Sequence, residues 1–266
     1  MKKISSADNA QFKSLLKLVQ SSRERRLAGY SLLDGVHLLR AYQSRSGVPE
    51  QLIVSQSGAD NAEIQALLHG AAAVLLSDNL FKQLSSVATP TGVIAVIKTP
   101  RCERLPATFD TCVMLEDIQD PGNLGSILRS CAAADIKQIF LSKQSVTAWS
   151  PRVLRAAMGA HFSLEIYERI DLVALANAYP GRVLVTQLRA THSVFNSDLS
   201  GKVALVFGNE GAGVSDALMQ CAHGAIAIPM NAATESLNVA AAAAVCLFER
   251  IRQLQMEQER KHRRRC

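Results

Sequence analysis

The chain has 266 residues, 48% of them apolar, which is enough to bury a sizeable core and rules out a disordered protein. Its longest apolar run, Val239 to Phe248, reaches only about half of the roughly 20 residues that a membrane span needs, and the N-terminus lacks the continuous apolar segment of a secretory signal, so a cytoplasmic protein without a transmembrane helix is expected. The net charge is +6, with cations gathered at Lys13/Lys17, "RERR" (Arg23 to Arg26), Arg101/Arg104, Arg152/Arg155 and the terminal "RKHRRRC"; this suits a polyanionic partner and equally an ordinary basic surface.

The first predicted element is one amphipathic, basic helix over "NAQFKSLLKLVQSSRERR". From Tyr30 to Lys98, helical patterns ("GVHLLRAYQSR", "NAEIQALLH") alternate with short β-branched or aliphatic runs ("QLIVS", "AAVLLS", "GVIAVIK"), the mark of a small α/β domain. Next, "TPRCERLPATFD" has two prolines and no apolar period, as a linker does. Beyond it come "CVMLED", a helix from about Leu124, "KQIFL", a helix near "PRVLRAAMG", "SLEIY", "RVLVTQ", "KVALVFG" and "AIAIP". Near-continuous apolar strands separated by helical segments predict a parallel sheet buried on both faces. A last helix runs from about Ser236 to Glu257, built from alanines as if to be buried, and the basic tail after it has no apolar face and is expected to be frayed or disordered.

Six cysteines, Cys102, Cys112, Cys131, Cys221, Cys246 and Cys266, form no C-x-x-C pair, so neither zinc nor a disulfide framework is suggested. His37, His69, His161, His192, His223 and His262 fall in no recurring pattern and are read as surface or core residues. No metal site is expected.

In open α/β sheets, ligands bind beyond the carboxyl ends of the strands, and three loops there carry the polar residues. In "MLEDIQDPGNLGSILRS", Asp120-Pro121-Gly122 is a turn and Asn123 suits a helix cap; Arg129, set among Ile127, Leu128 and Cys131, calls for an anionic partner, either a structural carboxylate or a bound phosphate. In "VFGNEGAGVS", Gly208, Gly211 and Gly213 clear side chains from a strand end, yet the G-x-G-x-x-G spacing of a dinucleotide site is absent and Glu210 would repel a pyrophosphate. In "IPMNAATESLNVAAAAAV", Ser236 suits a helix cap with Thr234 and Glu235 in its first turn, while Asn238 beside Leu237 and Val239 needs a polar partner, because an unpaired buried amide costs about 1–3 kcal/mol.

Taken together and in this order, the three loops resemble the signature motifs of the SpoU/TrmH family of RNA ribose 2'-O-methyltransferases, within the SPOUT superfamily. The resemblance covers about Thr111 to Gln253. The segment "ISSADNAQFKSLLKL", "GYSLLDGVHLLRAY" and "TGVIAVIK" is similar to the ribosomal-protein-like substrate-binding domain of the rRNA-directed branch, with Asp34-Gly35 where that branch usually has Glu-Gly. The resemblance implies an α/β chain divided into an RNA-binding domain (1–99), a linker (100–110), a SPOUT domain with a mostly parallel sheet and a deep trefoil knot (111–256) and a basic tail (257–266). It implies S-adenosyl-L-methionine as cofactor, an RNA substrate that is most naturally 23S-type rRNA, and a homodimer with its active sites at the subunit interface. By position, the cofactor falls to Thr186, Gln187, Leu188, Gly208, Asn209, Gly211, Ile228, Met230, Ser236 and Leu237, and the reacting ribose to Asn123, Arg129, Glu210, Ser236 and Asn238. Arg129 is assigned to a phosphate beside the target and to polarising the hydroxyl, Asn123 and Asn238 to orientation, Ser236 to phosphate binding or proton relay, and Glu210 to orienting Arg129 or Asn123. Three other readings are a tRNA ribose methyltransferase, a non-catalytic RNA-binding protein of the same fold and a nucleotide-dependent oxidoreductase. The N-terminal domain disfavours the first, the intact polar set the second, and the missing fingerprint the third.

Overall fold

A computed structural model describes residues 1–68 and 70–263; His69 and Cys266 lie outside the described residues. The chain forms two compact units, Met1–Pro100 with Thr147–Phe162, and Arg101–Val146 with the chain from Ser163 onward.

In the first unit the apolar runs become β3 (Gln51–Ser55), β4 (Ala73–Leu76) and β5 (Val93–Lys98), joined by β1 (Lys2–Ile4) and β2 (Tyr30–Asp34) in the order β1-β4-β3-β5-β2. Helices α3 (Val36–Ser46), α4 (Ala62–Leu67) and α5 (Asp78–Leu84) connect them. The single N-terminal helix expected from the sequence is instead two, α1 (Ala10–Gln20) and α2 (Ser22–Ala28). Ser21 is extended between them, and its hydroxyl accepts the Glu24 N–H at 3.2 Å, capping α2. Arg25 then folds back, donating to the Leu18 and Val19 carbonyls at 2.7 and 3.0 Å, so the orphan acceptors at the end of α1 are satisfied without a continuous helix. Phe12, Leu15 and Leu18 of α1 pack with Phe81 and the strand residues Ile53 and Leu76.

The second unit holds seven strands: β6 (Cys112–Leu115), β7 (Gln138–Ser142), β8 (Glu165–Ile170), β9 (Arg182–Thr186), β10 (His192–Ser193), β11 (Val203–Phe207) and β12 (Gly224–Ala227). Their order is β10-β12-β9-β11-β6-β7-β8, and every pairing is parallel. The central β6 and β11 are buried along their whole length, as the unbroken apolar runs predict. Helix α6 (Pro121–Ala133) follows β6; α7 (Pro151–Ala157), after β7, belongs to the first unit, where Phe162 meets Tyr42 edge-on at 5.4 Å and Trp149 lies 5.0 Å from His161. His161 donates from Nε2 to the Ala148 carbonyl at 2.8 Å, and burial pushes its pKa down to about 4, so it is a neutral core histidine. Helices α8 (Leu172–Ala178), α9 (Asp216–Cys221) and α10 (Val239–Arg263) complete the unit. Burial likewise pushes the thiols of Cys112 and Cys246 up to about 12, which makes them inert.

Helix ends differ from expectation. Asp120 caps α6, accepting the Asn123 N–H at 2.8 Å, with Pro121 in the first turn; Asn123 is engaged elsewhere. Asn238, not Ser236, caps α10, through its Oδ1 to the N–H of Ala240 and Ala241 at 2.9 and 3.3 Å. Residues Thr234 to Ser236 stay outside the helix, after a turn in which Asn231 accepts the N–H of Ala233 and Thr234. At its other end α10 continues to Arg263 rather than dissolving near Glu257, because Gln, Glu, Arg and Lys favour helix and cations suit its carboxyl end. The alanine helix is also less buried than its composition suggests: Ala243, Cys246 and Leu247 are covered while Ala241 is bare and Phe248 is 50% exposed.

Candidate active site

Because the strands of the second unit are all parallel, their carboxyl ends share one edge, where the loops after β6, β9, β11 and β12 meet. Between them lies a cavity of about 330 Å³, within the size range of small-molecule sites. Its wall includes all of the cofactor residues named from the sequence: Thr186, Gln187, Leu188, Gly208, Asn209, Gly211, Ile228, Met230, Ser236 and Leu237. Of the five residues assigned to the ribose, Asn123, Glu210, Ser236 and Asn238 line it as well. Phe207, Gly213, Ile226, Val239 and Ala242 also contribute. The site assignment from the sequence does not include these, although all but Ile226 lie within the quoted motifs, and Val239 and Ala242 have the one-turn spacing that puts both on one face of α10.

The loop after β11 is held by its own backbone. Asn209 and Gly213 exchange two hydrogen bonds of 2.9 Å, and Gly213 sits at φ +73°. A Cβ on Gly208 would lie 2.1 to 2.3 Å from the Gly213 carbonyl group and the Val214 nitrogen. The glycine is thus required by the loop's closure on itself, not only by approach of a ligand. Asn209 anchors the same loop: its Nδ2 donates to the Asp117 carbonyl at 2.8 Å and its Oδ1 accepts from Gly211 and Ala212 at 2.9 and 3.0 Å. Glu116 takes both the N–H and the hydroxyl of Ser215, each at 2.7 Å, fixing the start of α9 against the end of β6.

Glu210 links the three loops. Its carboxylate accepts the N–H groups of Gln119 and Asp120, both at 3.2 Å, and the Asn123 amide at 3.0 Å. Asn123 in turn accepts from the Asn238 amide at 2.8 Å, which supplies the polar partner that Asn238 calls for. Partial burial works against the Glu210 charge, but donation from Asn123 and from the backbone N–H groups of Glu210, Asp120 and Gln119 outweighs it, and the pKa falls below that of an ordinary glutamate. The result is a chain of fixed orientation, carboxylate to amide to amide to the N-terminus of α10. Ser236 stands beside it, exposed and with no side-chain hydrogen bond among the described residues.

Arg129 is placed differently. It lies on the face of α6 that carries Gly122 and Ser126, exposed, and does not line the cavity. Among the described residues it has no hydrogen bond or ion pair, so the structural-carboxylate option is not realised, nor is orientation of Arg129 by Glu210. Thr186 and Gln187 fix the loop after β9 through the Val206 and Ile226 carbonyls, each at 3.0 Å. The cavity therefore combines a bare glycine-rich turn, apolar walls from Ile226, Ile228 and Leu237, and a polar mouth. The Asn123 and Asn238 amides stand at that mouth.

Comparison with known proteins matches the cavity-bearing half. The pattern of the SpoU rRNA Methylase family matches residues 110–248, and that of the MRM3-like substrate binding domain residues 9–95, leaving the last turns of α10 outside both. The 23S rRNA (guanosine(2553)-2'-O)-methyltransferase RlmP of Bacillus subtilis is 30% identical over 250 residues, covering 93% of this chain and 98% of that protein. The 23S rRNA (guanosine-2'-O-)-methyltransferase RlmB of Escherichia coli is 27% identical, covering 84% and 98%. Among solved structures, the SpoU methyltransferase AviRb from Streptomyces viridochromogenes in complex with the cofactor AdoMet superposes with a TM-score of 0.83 at 26% identity, covering 92% of this chain and 98% of that one.

Proposed function

The chain belongs to the SpoU rRNA methylase family, and from that premise we infer how its own side chains carry out the reaction. It is an S-adenosylmethionine-dependent enzyme that methylates a ribose 2'-hydroxyl in RNA. We assign it to rRNA of the 23S type, on the support of the substrate-binding pattern over the first unit and of the relatives named for that RNA. The observation that carries the reading is the Glu210–Asn123–Asn238 chain, which ties three separate loops into one cavity mouth.

The residues that would hold the cofactor are those of the loops after β9, β11 and β12: Thr186 to Leu188, then Gly208, Asn209 and Gly211, then Ile228, Met230, Ser236 and Leu237. When bound, the cofactor supplies an electrophilic methyl group on a sulfonium. The chain's own task is to hold a ribose oxygen in line with it, and positioning of this kind supplies much of a transfer rate. Asn123 and Asn238 are fixed by their neighbours and orient the ribose; Glu210 keeps Asn123 in place through a charge-assisted bond. Ser236 has a free hydroxyl for a phosphate or for the departing proton. Arginine stays charged, so Arg129 serves as a cation, gripping the phosphate beside the target and polarising its hydroxyl.

Arg129 acts from a dimer in this reading. The exposed Leu237 and Phe248, 38% and 50% accessible, lie just before α10 and on it and offer a second copy apolar surface to cover. In this reading, pairing there would bring the unpartnered guanidinium of one copy to the cavity of the other. The SPOUT knot is part of the same reading, as is a cytoplasmic site of action; among the described residues no helix is long and apolar enough to cross a membrane.

Arg129→Ala should abolish methyl transfer to rRNA, a loss of about a thousandfold or more, with cofactor affinity by calorimetry and melting temperature unchanged. Loss of cofactor affinity in this variant would remove the assignment.

A further inference from the structure

Helix α10 does not stop where the second unit stops. It starts at the carboxyl edge of the sheet, beside the cavity, and reaches the opposite edge at Arg250, which donates to Thr111 just before β6 and to Gly201 just before β11 at 3.0 and 3.2 Å. Its last hydrogen bonds to other elements come from Gln253, which accepts the Leu199 N–H at 2.7 Å and donates to the Ser197 carbonyl at 3.0 Å. Residues 254–263 then extend the helix by about 15 Å at 1.5 Å per residue, and from residue 258 onward all described side chains are exposed.

The cations along this helix fall into two groups. Arg250 is tied to Thr111 and Gly201, and Arg252 forks onto Glu249 at 2.7 and 2.8 Å. Arg260, Lys261 and Arg263 are exposed and, among the described residues, have neither hydrogen bonds nor ion pairs. Glu257 and Glu259 precede them in the helix. Cations are favourable at the carboxyl end of a helix; here the turns from residue 258 to 263 are exposed throughout and carry three cations with no protein partner among the described residues, which suits them to meet an anion. The chain's substrate is a polyanion.

We propose that residues 254–263 form an arm that grips phosphates of the substrate rRNA at a distance from the nucleotide being methylated. This rests on the RNA-methylating reading above and adds a contact surface on the far side of the sheet from the cavity. Such a surface contributes affinity and salt dependence and leaves the chemistry alone.

The test is a triple variant, Arg260→Gln, Lys261→Gln and Arg263→Gln, with a 23S rRNA transcript as the probe and potassium chloride varied. Each lost phosphate contact flattens the plot of log affinity against log salt by roughly 0.7 to 0.9, so the variant's slope should be shallower by about two. Its Kd and KM for the transcript should rise roughly tenfold near 0.1 M salt, while kcat at saturating RNA, cofactor affinity and melting temperature stay at wild-type values. An unchanged Kd and slope overturn the arm even though the enzyme still methylates. That outcome is distinct from failure of the functional reading itself, in which the unaltered protein would transfer no methyl group to RNA.

Discussion

In the first unit, β2, β3 and β4 bring their carboxyl ends to one edge, but β5 runs against its neighbours and enters the sheet there. Its entry plugs the edge: Gly92, just before β5, gives its carbonyl to the Ser55 N–H at 2.9 Å, and Gly58 packs on Gly92 so closely that a Cβ on either would fall 2.7 to 2.9 Å from the other's backbone. The polar groups on that edge serve one another, as when Asp78 accepts the N–H and hydroxyl of Ser57 at 2.9 and 2.8 Å. In the second unit every strand pairing is parallel, the loops only rim the edge, and a cavity stays open between them. Both units alternate strands and helices, so alternation does not make a site. A single reversed strand decides whether the carboxyl edge is filled or vacant.

Paired glycine substitutions give the largest test of this contrast. Gly208→Ala drives a Cβ into the Gly213 and Val214 backbone at 2.1 to 2.3 Å, with no flexible side chain to yield, so the loop after β11 must open. Cofactor affinity should fall by at least about a hundredfold, following the loss of preorganised geometry, and methylation should disappear. Gly58→Ala meets Gly92 at 2.7 Å and should destabilise the first unit by about 1–3 kcal/mol, while calorimetry finds cofactor affinity unchanged. A Gly208→Ala protein that binds cofactor like wild type would mean that loop closure does not build the pocket.

Glu210 gives a medium effect with a defined pH signature. Gln in its place keeps an acceptor but loses the charge that strengthens three donated bonds, so methylation should drop by about ten- to a hundredfold. The folded pKa lies below the ordinary glutamate value of 4.5, which means the ionised form is favoured by folding. That stabilisation is complete above pH 4.5 and is lost as pH falls through the folded pKa. The melting-temperature difference between wild type and Glu210→Gln should therefore be constant at neutral pH and close only in acid. A difference that instead grows as pH falls would show that Glu210 is not charged by its donors.

How far these arrangements can be read from the sequence depends on the range of the interaction that sets them. The apolar runs mark β3 to β9, β11 and β12, because burial on a sheet face is written into consecutive residues. The three polar loops are equally legible, since strand ends and turn residues lie side by side. Which residue caps which helix is not. Asn123 is a good cap by type, but Glu210, 87 residues away, claims its amide, and the cap passes to Asp120. Ser236 loses its cap to Asn238, which reaches Asn123 across 115 residues. The split at Ser21 turns on Arg25 reaching back to Leu18, a choice that helical periodicity does not encode. Arg129 reads as a residue among apolar neighbours, but its exposure depends on the helix face that α6 leaves bare.

Asp34 provides the smallest and most local test. It stands at the end of β2, on the plugged edge, where its carboxylate accepts the Ser85 hydroxyl at 2.7 Å and the N–H and hydroxyl of Ser86 at 2.8 and 3.1 Å. The short acid is thus matched by two serines. If the edge is sealed by its own polar groups, Asp34→Ala leaves three donors to water and costs about 1–2 kcal/mol, a drop of several degrees in the melting of the first unit. Cofactor affinity and the salt slope for RNA should not move. A change in cofactor affinity with Asp34→Ala would show that the filled edge and the open one are coupled, and that the contrast between the two sheets is not as complete as their strand directions make it.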